Sequence, residues 1–511
     1  MQNWNRESLH RFVSDSMQGC KLIVVSNREP YTHTKQDGLV RCQMPASGLT
    51  SAIDPILRAS GGTWVAHGSG NADREVVDAR DRVRVPPERP AYHLRRVWLP
   101  EQIEQEYYCG LSNEGLWPLC HAAFHQPEFS LKHWQSYRTA NQIFADAVLE
   151  EADGNPAFVF VQDYHLALLP RMLKRSNPNL TIAHFWHIPW PHRETFRAFP
   201  WKEEILDGML GNDLMGFHTD QFCSNFLETV ECNVDSAVDI RTGHVIRGGH
   251  VTTVRAFPIS IDYEEQSATA ASAVSMALET AKWRREIGPT PEILGIGIDR
   301  VDYTKGIPHR LHAIDRVLSE HPEYVGRLVF LQVGVPSRTA ICGYDALNQE
   351  LIQLVDTINS KWRQGAWRPI TFVRRHIESP ALTALHLMAD FCVVSSLDDG
   401  MNLVAKEFVG SRIDGDGVLL LSRFTGAAFE LSDALIVNPF AIDEMAELIA
   451  SAIEMPAVER RRRMNSMRAA VASNTVYDWA GGILKTMAEI GSREASAVPA
   501  RSALALAGGA L

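Results

Sequence analysis

The sequence predicts an α/β protein built as two successive β/α domains, and three observations support this prediction. The chain has 511 residues, which is too long for one ordinary hydrophobic core, so two domains of roughly 200–250 residues are expected. Short apolar runs rich in β-branched residues recur along both halves, as is typical of buried parallel strands. Charged and polar residues directly follow several of these runs, and ligands bind at that edge in open α/β sheets.

Composition and charge argue against several other classes of protein. Hydrophobic residues make up 45% of the chain, which is enough for well-filled cores and argues against global disorder. The net charge of −11 gives no reason to expect nucleic acid or an anionic membrane as a partner. No apolar stretch approaches the ~20 residues of a membrane helix. The eight cysteines show no Cys-x-x-Cys spacing, and with no signal peptide the sequence predicts a cytoplasmic protein without disulfides.

In the first half, predicted strands end in residues that can bind ligands. The run from Lys21 to Val25 predicts a buried strand, and Arg28 after it would point into the crevice of a doubly wound sheet. Gly48 lies where a loop opens onto a helix, so its N–H could meet a phosphate. Two further predicted strands lead to Asp163 and to His187.

Two features of this half allow more than one interpretation. Residues 107–118 are aromatic and turn-rich, which is more typical of a packed surface loop than of a site. His184, His187 and His192 could suggest a metal, but the first two are three residues apart and would face opposite sides of a strand. We therefore expect no metal site here.

In the second half, the stretch 395–407 has the form of a phosphate-binding turn. A predicted strand at 391–394 leads through a turn to a helix that begins at Asn402, a favourable N-cap residue. Free N–H groups and the positive end of the helix dipole would face a phosphate there. Asp399 would lie at the mouth of the turn, and Glu407 could reach a hydroxyl pair on the ligand. An ordinary turn with a solvated acidic pair has the same form.

Arg300 and Lys305 follow a second predicted strand of this half, at 293–298. If their loop curls, the two cations lie near one point and can neutralise a diphosphate, including one that gains charge as it leaves. Alternatively, Asp299, Arg300 and Asp302 form a solvated cluster of ion pairs. The position of the loop at a strand end favours the functional interpretation.

Seven segments, taken in order along the chain, resemble the trehalose-6-phosphate synthase family. They are 26–28, 112–118, 162–165, 187–189, 300–306, 336–338 and 399–407, within a resemblance that runs from about residue 21 to about residue 485. The resemblance implies a GT-B fold, in which two Rossmann-like domains face each other across a cleft. It also implies retaining transfer of glucose from a nucleotide-sugar to glucose 6-phosphate, with no metal and no cofactor. The implied mechanism is front-face, so that the leaving phosphate takes the acceptor proton.

The resemblance assigns a role to each matching residue. Those implied to bind the donor are Gly48, Arg300, Lys305, Asp399, Met401, Asn402, Leu403 and Glu407. Those implied to bind the acceptor are Arg28, Tyr108, Trp117, Asp163 and Arg338, and those implied to act at the reacting centre are Asp163, His187, Arg300 and Lys305. The implied domains are a lead-in (1–20), an acceptor domain (21–262), a nucleotide-sugar domain (263–475), a helix that returns to the first domain (476–493) and a disordered tail (494–511).

The chain departs from the family pattern at two places, and these keep other functions open. The family's Gly-Gly-Leu reads Ser47-Gly48-Leu49, and His67 stands where a second Trp of a Trp-Phe-Gly-Trp-Ser-Gly segment is expected. With Glu29 after Arg28, the chain also looks like glucosylglycerol-phosphate synthases, which use glycerol 3-phosphate. A third possibility is a catalytically silent sugar-phosphate-binding homologue. UDP-glucose is the favoured donor, although the sequence does not determine the base of the nucleotide. It also does not determine whether the protein forms a homo-oligomer.

Overall fold

The structure is a computed structural model that describes residues 4–16, 20–44, 48–288, 291–336 and 342–507. The chain divides into two compact units. Unit 1 comprises Met1–Cys120, Gln126–Pro258 and Tyr477–Leu511, and unit 2 comprises His121–His125 and Ile259–Val476. The passage into unit 2 after Pro258 lies close to the domain boundary expected at residue 262. The inclusion of the short segment 121–125 in unit 2 was not expected from the sequence.

Unit 1 is built on a mixed sheet whose central strands are parallel. Its strands are β1 (Lys21–Ser26), β2 (Thr32–Gln36), β3 (Leu39–Gln43), β4 (Thr63–His67), β5 (Arg82–Val85), β6 (Tyr92–Val97), β7 (Ala157–Gln162), β8 (Thr181–Phe185), β9 (Leu214–Phe217), β10 (Ala237–Asp239), β11 (His244–Arg247) and β12 (His250–Ala256). The sheet order is β10-β11-β12-β9-β8-β7-β1-β4-β6-β5, and β2 and β3 form a separate hairpin. The strands from β12 to β6 pair in parallel, and only the two edges are antiparallel. β1, β7 and β8 are buried almost throughout, which explains their continuous apolar sequences.

The α-helices of unit 1 connect these strands and cover the sheet. They are α1 (Arg6–Ser16), α2 (Gly48–Ser60), α3 (Asp73–Val76), α4 (Glu101–Glu104), α5 (Trp117–Cys120), α6 (Leu131–Ala152), α7 (Leu169–Ser176), α8 (Arg193–Phe196), α9 (Lys202–Met209) and α10 (Asp220–Asn233). A π-helix (Gln105–Leu116) and a 3-10 helix (Tyr164–Leu166) complete them. The π-helix is largely buried, so the surface loop predicted at 107–118 is wrong.

Unit 2 is built on an all-parallel sheet with helices between successive strands. Its strands are β13 (Ile293–Arg300), β14 (Leu328–Val335), β15 (Ile370–Val373), β16 (Phe391–Val394), β17 (Val418–Ser422) and β18 (Leu435–Val437), in the order β15-β14-β13-β16-β17-β18. Its α-helices are α11 (Tyr263–Ala271), α12 (Ala273–Ile287), α13 (Ile307–Glu320), α14 (Cys342–Trp362), α15 (Ser379–Met388), α16 (Leu403–Ser411), α17 (Ile442–Glu454) and α18 (Ala457–Ser473), with 3-10 helices at Tyr303–Lys305, Pro322–Tyr324 and Gly426–Phe429. Ile314, Phe330 and Leu420 lie in its buried core. The α/β class with two Rossmann-like units is confirmed.

The last helix, α19 (Val476–Ala507), belongs to unit 1. Trp479 on this helix packs edge-on against Phe185 of β8, and Gly481 lies against Trp4. No side chain beyond residue 492 is described, so the disorder expected from residue 494 stays a prediction. Within the described residues, no helix has both the length and the hydropathy that crossing a membrane requires.

In each unit the strand order reverses at one point of the parallel sheet. In unit 2 the chain runs outward from β13 to β14 and β15 on one side, and from β16 to β17 and β18 on the other. In unit 1 the same reversal lies between β1 and β7. Ligands of doubly wound sheets bind beyond the strand ends at such a reversal. The topology therefore places the ends of β13 and β16, and those of β1 and β7, at the expected binding positions.

Candidate active site

Lys305 and Asp399 meet at the strand reversal of unit 2. Lys305 ends the 3-10 helix that follows β13, and Asp399 lies in the turn that follows β16. The Lys305 Nζ atom is 2.5 Å from Asp399 Oδ2, and both side chains are largely buried. Burial opposes ionisation of Asp399, but the charge and hydrogen bond of Lys305 outweigh it and lower the pKa of the carboxyl to about 2. The site therefore presents a fixed ion pair where sequence analysis expected a diphosphate-binding cation and a sugar-binding acid.

Asn402 joins the turn to the helix that follows it. It has a φ of 79°, in the left-handed region that asparagine adopts more readily than most residues. Its Oδ1 accepts a hydrogen bond of 3.1 Å from the Ala405 N–H, so it is the N-cap of α16, as predicted. Its Nδ2 donates to Asp399 Oδ2 at 3.1 Å. One side chain therefore both starts the helix and orients the carboxylate, and this placement leaves Met401 and Leu403 at the helix start.

Asp398 and Asp399 are adjacent but bind different partners. Asp398 Oδ2 accepts a hydrogen bond of 2.7 Å from the backbone N–H of Ala122, in the segment 121–125. Burial raises the pKa of Asp398 to about 7, and the neighbouring charge of Asp399 adds to the effect. The two carboxyl groups therefore differ in protonation near neutral pH. No sequence feature pointed to Ala122 as a partner.

Glu407 lies in the second turn of α16, as predicted, and its side chain is only partly exposed. Burial raises the pKa of Glu407 to about 7. Its carboxyl group makes no ion pair or side-chain hydrogen bond among the described residues, and its backbone carbonyl accepts from Ser411 Oγ. A partly desolvated carboxyl group of this kind is suited to a ligand that supplies hydroxyl donors.

Arg310 on α13 is a structural residue that sequence reasoning missed. It is fully buried, and its guanidinium group donates to Asp299 Oδ2 at 2.5 Å, to the Lys305 carbonyl at 2.9 Å and to Ser395 Oγ at 2.8 Å. Asp302 is also buried, and it caps the 3-10 helix by accepting from the Thr304 N–H at 3.0 Å. The alternative of a solvated cluster around Asp299 and Asp302 is therefore wrong.

In unit 1, Arg28 follows β1 at the strand reversal. The buried Trp64 indole donates to Ser26 Oγ at 2.8 Å, and this hydroxyl donates to the Arg28 carbonyl at 2.6 Å, which fixes the backbone of the arginine. The Arg28 Nη2 atom donates to the Tyr108 hydroxyl at 2.9 Å. The Tyr108 ring stacks on His165 with 5.5 Å between ring centroids. Two of the residues expected to bind an acceptor phosphate are thus in direct contact.

The other aromatic residue expected at the acceptor, Trp117, packs against Tyr164, which stacks on His165. Trp117 begins α5, directly after the π-helix, and its ring centroid is 5.9 Å from that of Tyr164. The Tyr164 hydroxyl donates to Asn113 Oδ1 at 3.0 Å. The π-helix therefore joins Tyr108 and Trp117 to the end of β7, which explains why so polar and aromatic a segment is buried.

Asp163 and His187 follow β7 and β8, and they are in contact. Asp163 has a φ of 70°, and its Oδ1 accepts a hydrogen bond of 3.3 Å from the His187 backbone N–H. The His187 Nε2 atom donates to Gln162 Oε1 at 2.9 Å. Burial lowers the pKa of His187 well below its usual value, and nearby His218 contributes to this shift, so the imidazole is neutral at physiological pH.

A buried charge network supports the segment that follows Arg28. Arg96 on β6 is fully buried and binds Glu29 Oε2 at 2.9 Å and Asp73 Oδ1 at 2.8 Å. Glu29 Oε1 accepts from the backbone N–H of Ser69 at 2.9 Å. Burial raises the pKa of Glu29 to about 7. This network fixes the turn after β4 against the end of β1.

His67 ends β4 within this region and is almost fully buried. Its Nδ1 atom donates to the Val97 carbonyl at 3.1 Å, and its Nε2 atom lies 3.4 Å from Glu104 Oε2. The hydrogen bond from His67 lowers the pKa of Glu104. His67 is therefore held in one orientation by two polar contacts, which the tryptophan expected in the family pattern could not make together.

The remaining predicted site residues are Gly48, Arg300 and Arg338. Gly48 begins α2, as predicted, and Arg300 is the last residue of β13 with a partly exposed side chain. Arg338 lies outside the described residues. Among the described residues, the one group with metal-ligand spacing is His321, Glu323 and Glu454, which includes none of the predicted site residues.

Two Rossmann-like units with charged side chains at their strand reversals are the arrangement expected for a GT-B fold, and comparison with known families decides the class. Residues 20–489 match the family model of glycosyltransferase family 20, and the chain belongs to this family. The protein is therefore a glycosyltransferase.

Curated relatives agree with this assignment. The chain is 37% identical to the trehalose-6-phosphate synthase of Mycobacterium avium (strain 104), over 92% of this chain and 96% of that protein. It is also 37% identical to a bifunctional trehalose-6-phosphate synthase/phosphatase of Thermoproteus tenax, over 90% of this chain. That second match spans only 62% of the length of the bifunctional protein.

Solved structures show the same fold. The structure of an α,α-trehalose-phosphate synthase (UDP-forming) from Burkholderia xenovorans in complex with glucose-6-phosphate matches with a TM-score of 0.81 and 28% identity, over 91% of this chain and 99% of that one. An E. coli structure described as trehalose-6-phosphate bound with UDP-2-fluoro glucose matches with a TM-score of 0.80 and 29% identity, over 92% of this chain and 99% of that one.

Proposed function

We propose that this enzyme transfers glucose from UDP-glucose to glucose 6-phosphate with retention of the anomeric configuration, giving trehalose 6-phosphate. One observation carries the proposal. At the strand reversal of unit 2, Lys305, Asp399 and the helix start at Asn402 lie together, and Glu407 follows on the next turn of α16. A cation and a helix N-terminus suit a diphosphate, and a carboxyl group beyond them suits a ribose diol.

The proposed donor site assigns a role to each of these groups. Lys305 and Arg300 hold the diphosphate, with the Gly48 N–H as a further donor to it. The backbone groups of Met401 to Leu403 contact the nucleotide-sugar, Asp399 holds the sugar and Glu407 holds the ribose hydroxyls. The ion pair between Lys305 and Asp399 supports this arrangement, because a bound diphosphate can share the ammonium group while the carboxylate turns to sugar hydroxyls.

The proposed acceptor site is carried by unit 1. Arg28, Tyr108 and Trp117 bind the phosphate together with Arg338, and Asp163 accepts from a sugar hydroxyl. The contact between Arg28 and Tyr108 supports this, because the phenol holds the guanidinium group in place before the phosphate arrives.

The proposed reaction is a front-face transfer without an enzyme nucleophile. The glycosyl bond to the diphosphate breaks, the acceptor hydroxyl attacks from the same face, and its proton passes to a leaving-phosphate oxygen. Neutral His187, whose Nε2–H donates to Gln162, accepts a hydrogen bond from the donor sugar through Nδ1 without adding charge. Arg300 and Lys305 stabilise the charge that develops on the leaving diphosphate. Positioning and charge stabilisation of this kind can together contribute on the order of 10 kcal/mol.

A matrix of donors and acceptors tests the proposal. UDP-, GDP- and ADP-glucose are each combined with glucose 6-phosphate and with glycerol 3-phosphate, and the products are identified by mass and by the anomeric coupling in their NMR spectra. The expected result is trehalose 6-phosphate with an α,α linkage, formed fastest from UDP-glucose. Hydrolysis of the donor without transfer, or no product in any combination, would refute the proposal.

A second acceptor has a specific observation in its favour. His67 replaces a tryptophan of the family pattern and is fixed by Val97 and Glu104, so the region differs in shape and polarity from the one the family predicts. Glycerol 3-phosphate, the acceptor of the glucosylglycerol-phosphate synthases that the sequence also resembles here, is therefore the second candidate. A site built to bind sugar hydroxyls rejects analogues that lack them, because its polar groups are left unpaired. A kcat/KM ratio that favours glycerol 3-phosphate would therefore identify the enzyme as a glucosylglycerol-phosphate synthase.

A further inference from the structure

Lys406, which is fully buried, and Glu430, which is partly buried, form an ion pair that the proposed donor site does not use. Lys406 directly precedes Glu407 on α16, and its side chain is fully buried. Its Nζ atom donates to Glu430 Oε1 at 2.7 Å and to the Ile259 carbonyl at 2.8 Å. Burial lowers the pKa of Lys406, and the charge of Glu430 opposes this effect.

The partners of this pair lie where the chain passes between the units. Ile259 is the first residue of unit 2 after the passage from unit 1, and the return passage follows Val476. The second carboxylate oxygen of Glu430 accepts from Asn474 Nδ2 at 2.7 Å. The Val476 N–H donates to the Ile261 carbonyl at 3.0 Å, so the two passages run side by side. One ammonium and one carboxylate therefore connect α16 to both passages.

The other end of α16 is held by different contacts. Gln266 on α11 donates to Ser411 Oγ at 2.7 Å, and Arg468 on α18 donates to the Gly410 carbonyl at 2.9 Å. Because these contacts do not involve Lys406, the helix stays attached to unit 2 when that side chain is changed. A defect in a Lys406 variant can therefore be separated from loss of the helix.

A role in stability alone does not explain the arrangement. Replacing a buried ion pair by apolar side chains is often neutral or favourable, because the desolvation of two charges is costly. An ammonium group and a carboxylate instead orient their partners, because charge-assisted hydrogen bonds fix the positions of the groups that they join. Here those groups are a carbonyl and an amide beside the two passages.

We propose that Lys406 and Glu430 are positioning residues that hold the donor helix α16 in a fixed position relative to the two chain passages at Ile259 and Asn474. The consequence for activity rests on the proposed function, which places the donor at the start of α16 and on Glu407. A donor held on α16 then has a fixed position relative to both passages. Loss of the connection affects the transfer step more than the binding of nucleotide.

Hydrogen exchange tests the connection without any ligand. The Lys406→Met variant keeps the length and apolar volume of the side chain and removes the ammonium group. The expected result is exchange about tenfold faster or more in 259–262 and 474–476, with α13 and β14 unchanged. The matched control is Lys361→Met, which removes the more exposed ion pair between Lys361 and Asp315 on the same unit and should leave both segments unchanged.

Kinetics with UDP as the binding probe test the consequence. In Lys406→Met the dissociation constant of UDP should stay within about threefold of wild type, while kcat for transfer falls about tenfold or more, because misplacement of a bound reactant by about 1 Å is enough for such a loss. Glu430→Gln should likewise leave the dissociation constant of UDP nearly unchanged and lower kcat. The double variant should be no slower than the slower single variant, because both substitutions remove the same connection.

The possible outcomes are distinguishable. Unchanged exchange in both segments of a folded Lys406→Met protein would overturn the inference. So would a kcat loss fully matched by weaker UDP binding, since that would make Lys406 a local support of the donor site. If the wild-type protein fails to transfer glucose, the proposed function fails, and the exchange experiment still decides whether Lys406 connects α16 to the passages.

Discussion

At the residue scale, the ion pair between Lys305 and Asp399 is the contact on which most of the donor assignment depends. Sequence reasoning placed these residues after two different strands and expected both to face the donor. The structure brings the ammonium and carboxylate groups into direct contact, with Asn402 as a second donor to the carboxylate. The lysine is thus held in place before any diphosphate binds, which limits the reorganisation that binding requires.

Removal of this cation should reduce transfer strongly. We expect Lys305→Ala to lower kcat/KM about a hundredfold, since one oriented group that stabilises a leaving group is commonly worth ~3 kcal/mol. Arg300→Ala should show a loss of similar size. The measurement is steady-state kinetics on variants whose circular dichroism matches wild type. Lys361→Ala, which removes a surface ion pair, is the control and should retain full activity. Wild-type turnover in Lys305→Ala would place the donor elsewhere.

Glu407 should make donor binding depend on pH near neutrality. Burial raises the pKa of its carboxyl group to about 7, so lowering the pH through this value protonates the group. In the proposed donor site the ionised form accepts from both ribose hydroxyls, and its fraction falls about tenfold for each pH unit below the pKa. The KM for the donor should therefore rise about tenfold between pH 8 and pH 6.

The Glu407→Gln variant is the control for this pH dependence. It should bind the donor more weakly at pH 8 and show a much smaller change between pH 8 and pH 6. Asp398 and Glu29 are unchanged in this variant, and burial raises the pKa of each to about 7, so a slope that remains reports on groups other than Glu407. Equal slopes in the wild-type and Glu407→Gln enzymes would show that Glu407 does not control donor binding.

At the element scale, the turns after β13 and β16 support each other. Gly306 lies between the 3-10 helix that ends at Lys305 and the start of α13, and its φ of +59° is in the left-handed region. A Cβ atom at this position would lie against the Ser395 carbonyl oxygen at the end of β16. A hydrogen bond also joins the two residues, since Ser395 Oγ donates to the Gly306 carbonyl at 2.9 Å. The turn that carries Lys305 therefore requires glycine here.

We expect Gly306→Ala to destabilise unit 2 by about 3 kcal/mol or more, because the strained φ and the backbone conflict add together. Activity should fall with stability, since the displaced turn carries Lys305. The matched control is Gly154→Ala. Gly154 has a similar φ of +72° but open space around its missing Cβ, so that variant should lose only ~1–2 kcal/mol. Urea denaturation of both variants measures the difference, and equal losses would show that the contact with Ser395 does not matter.

At the scale of the whole molecule, the charges of the protein itself suffice for the proposed chemistry. In the proposed site, Arg300, Lys305 and the helix start at Asn402 neutralise the diphosphate, so we expect the reaction to need no divalent cation. Activity should therefore be unchanged after dialysis against EDTA and upon addition of Mg²⁺ or Mn²⁺. The measurement is the initial transfer rate under each condition. Loss of activity in EDTA that returns with either metal would contradict the metal-free mechanism.

Much of the fold could be predicted because local patterns carry it. Parallel strands buried on both faces leave continuous β-branched runs, and those at 21–25, 293–298 and 391–394 each became a strand. Asn402 was recognised as an N-cap because a helix start needs a side-chain acceptor for its free N–H groups. The antiparallel edge strands and the hairpin of β2 and β3 were missed because their short, polar sequences show no such run.

The site was predicted less completely than the fold, and the reason is physical. Arg310 carries no signal in the sequence, because its role depends on Asp299, Lys305 and Ser395 converging on one guanidinium group. The π-helix was predicted as a loop because glycines and polar residues are typical of turns. Only the packing around Tyr108 and Trp117 shows that this segment is buried. The protonation of Glu407 and His187 depends on burial, which a sequence does not specify.

The sequence by itself determined the α/β class, the two-domain organisation, most central strands, and which residues lie at strand ends. These follow from hydrophobic periodicity and turn chemistry, which act over a few neighbouring residues. Only the tertiary structure decided which strand ends meet at the reversals, how Lys305 is paired with Asp399, and how Lys406 and Glu430 join α16 to the chain passages. Those contacts link residues far apart in the chain, so they depend on how strands and helices pack rather than on any local pattern.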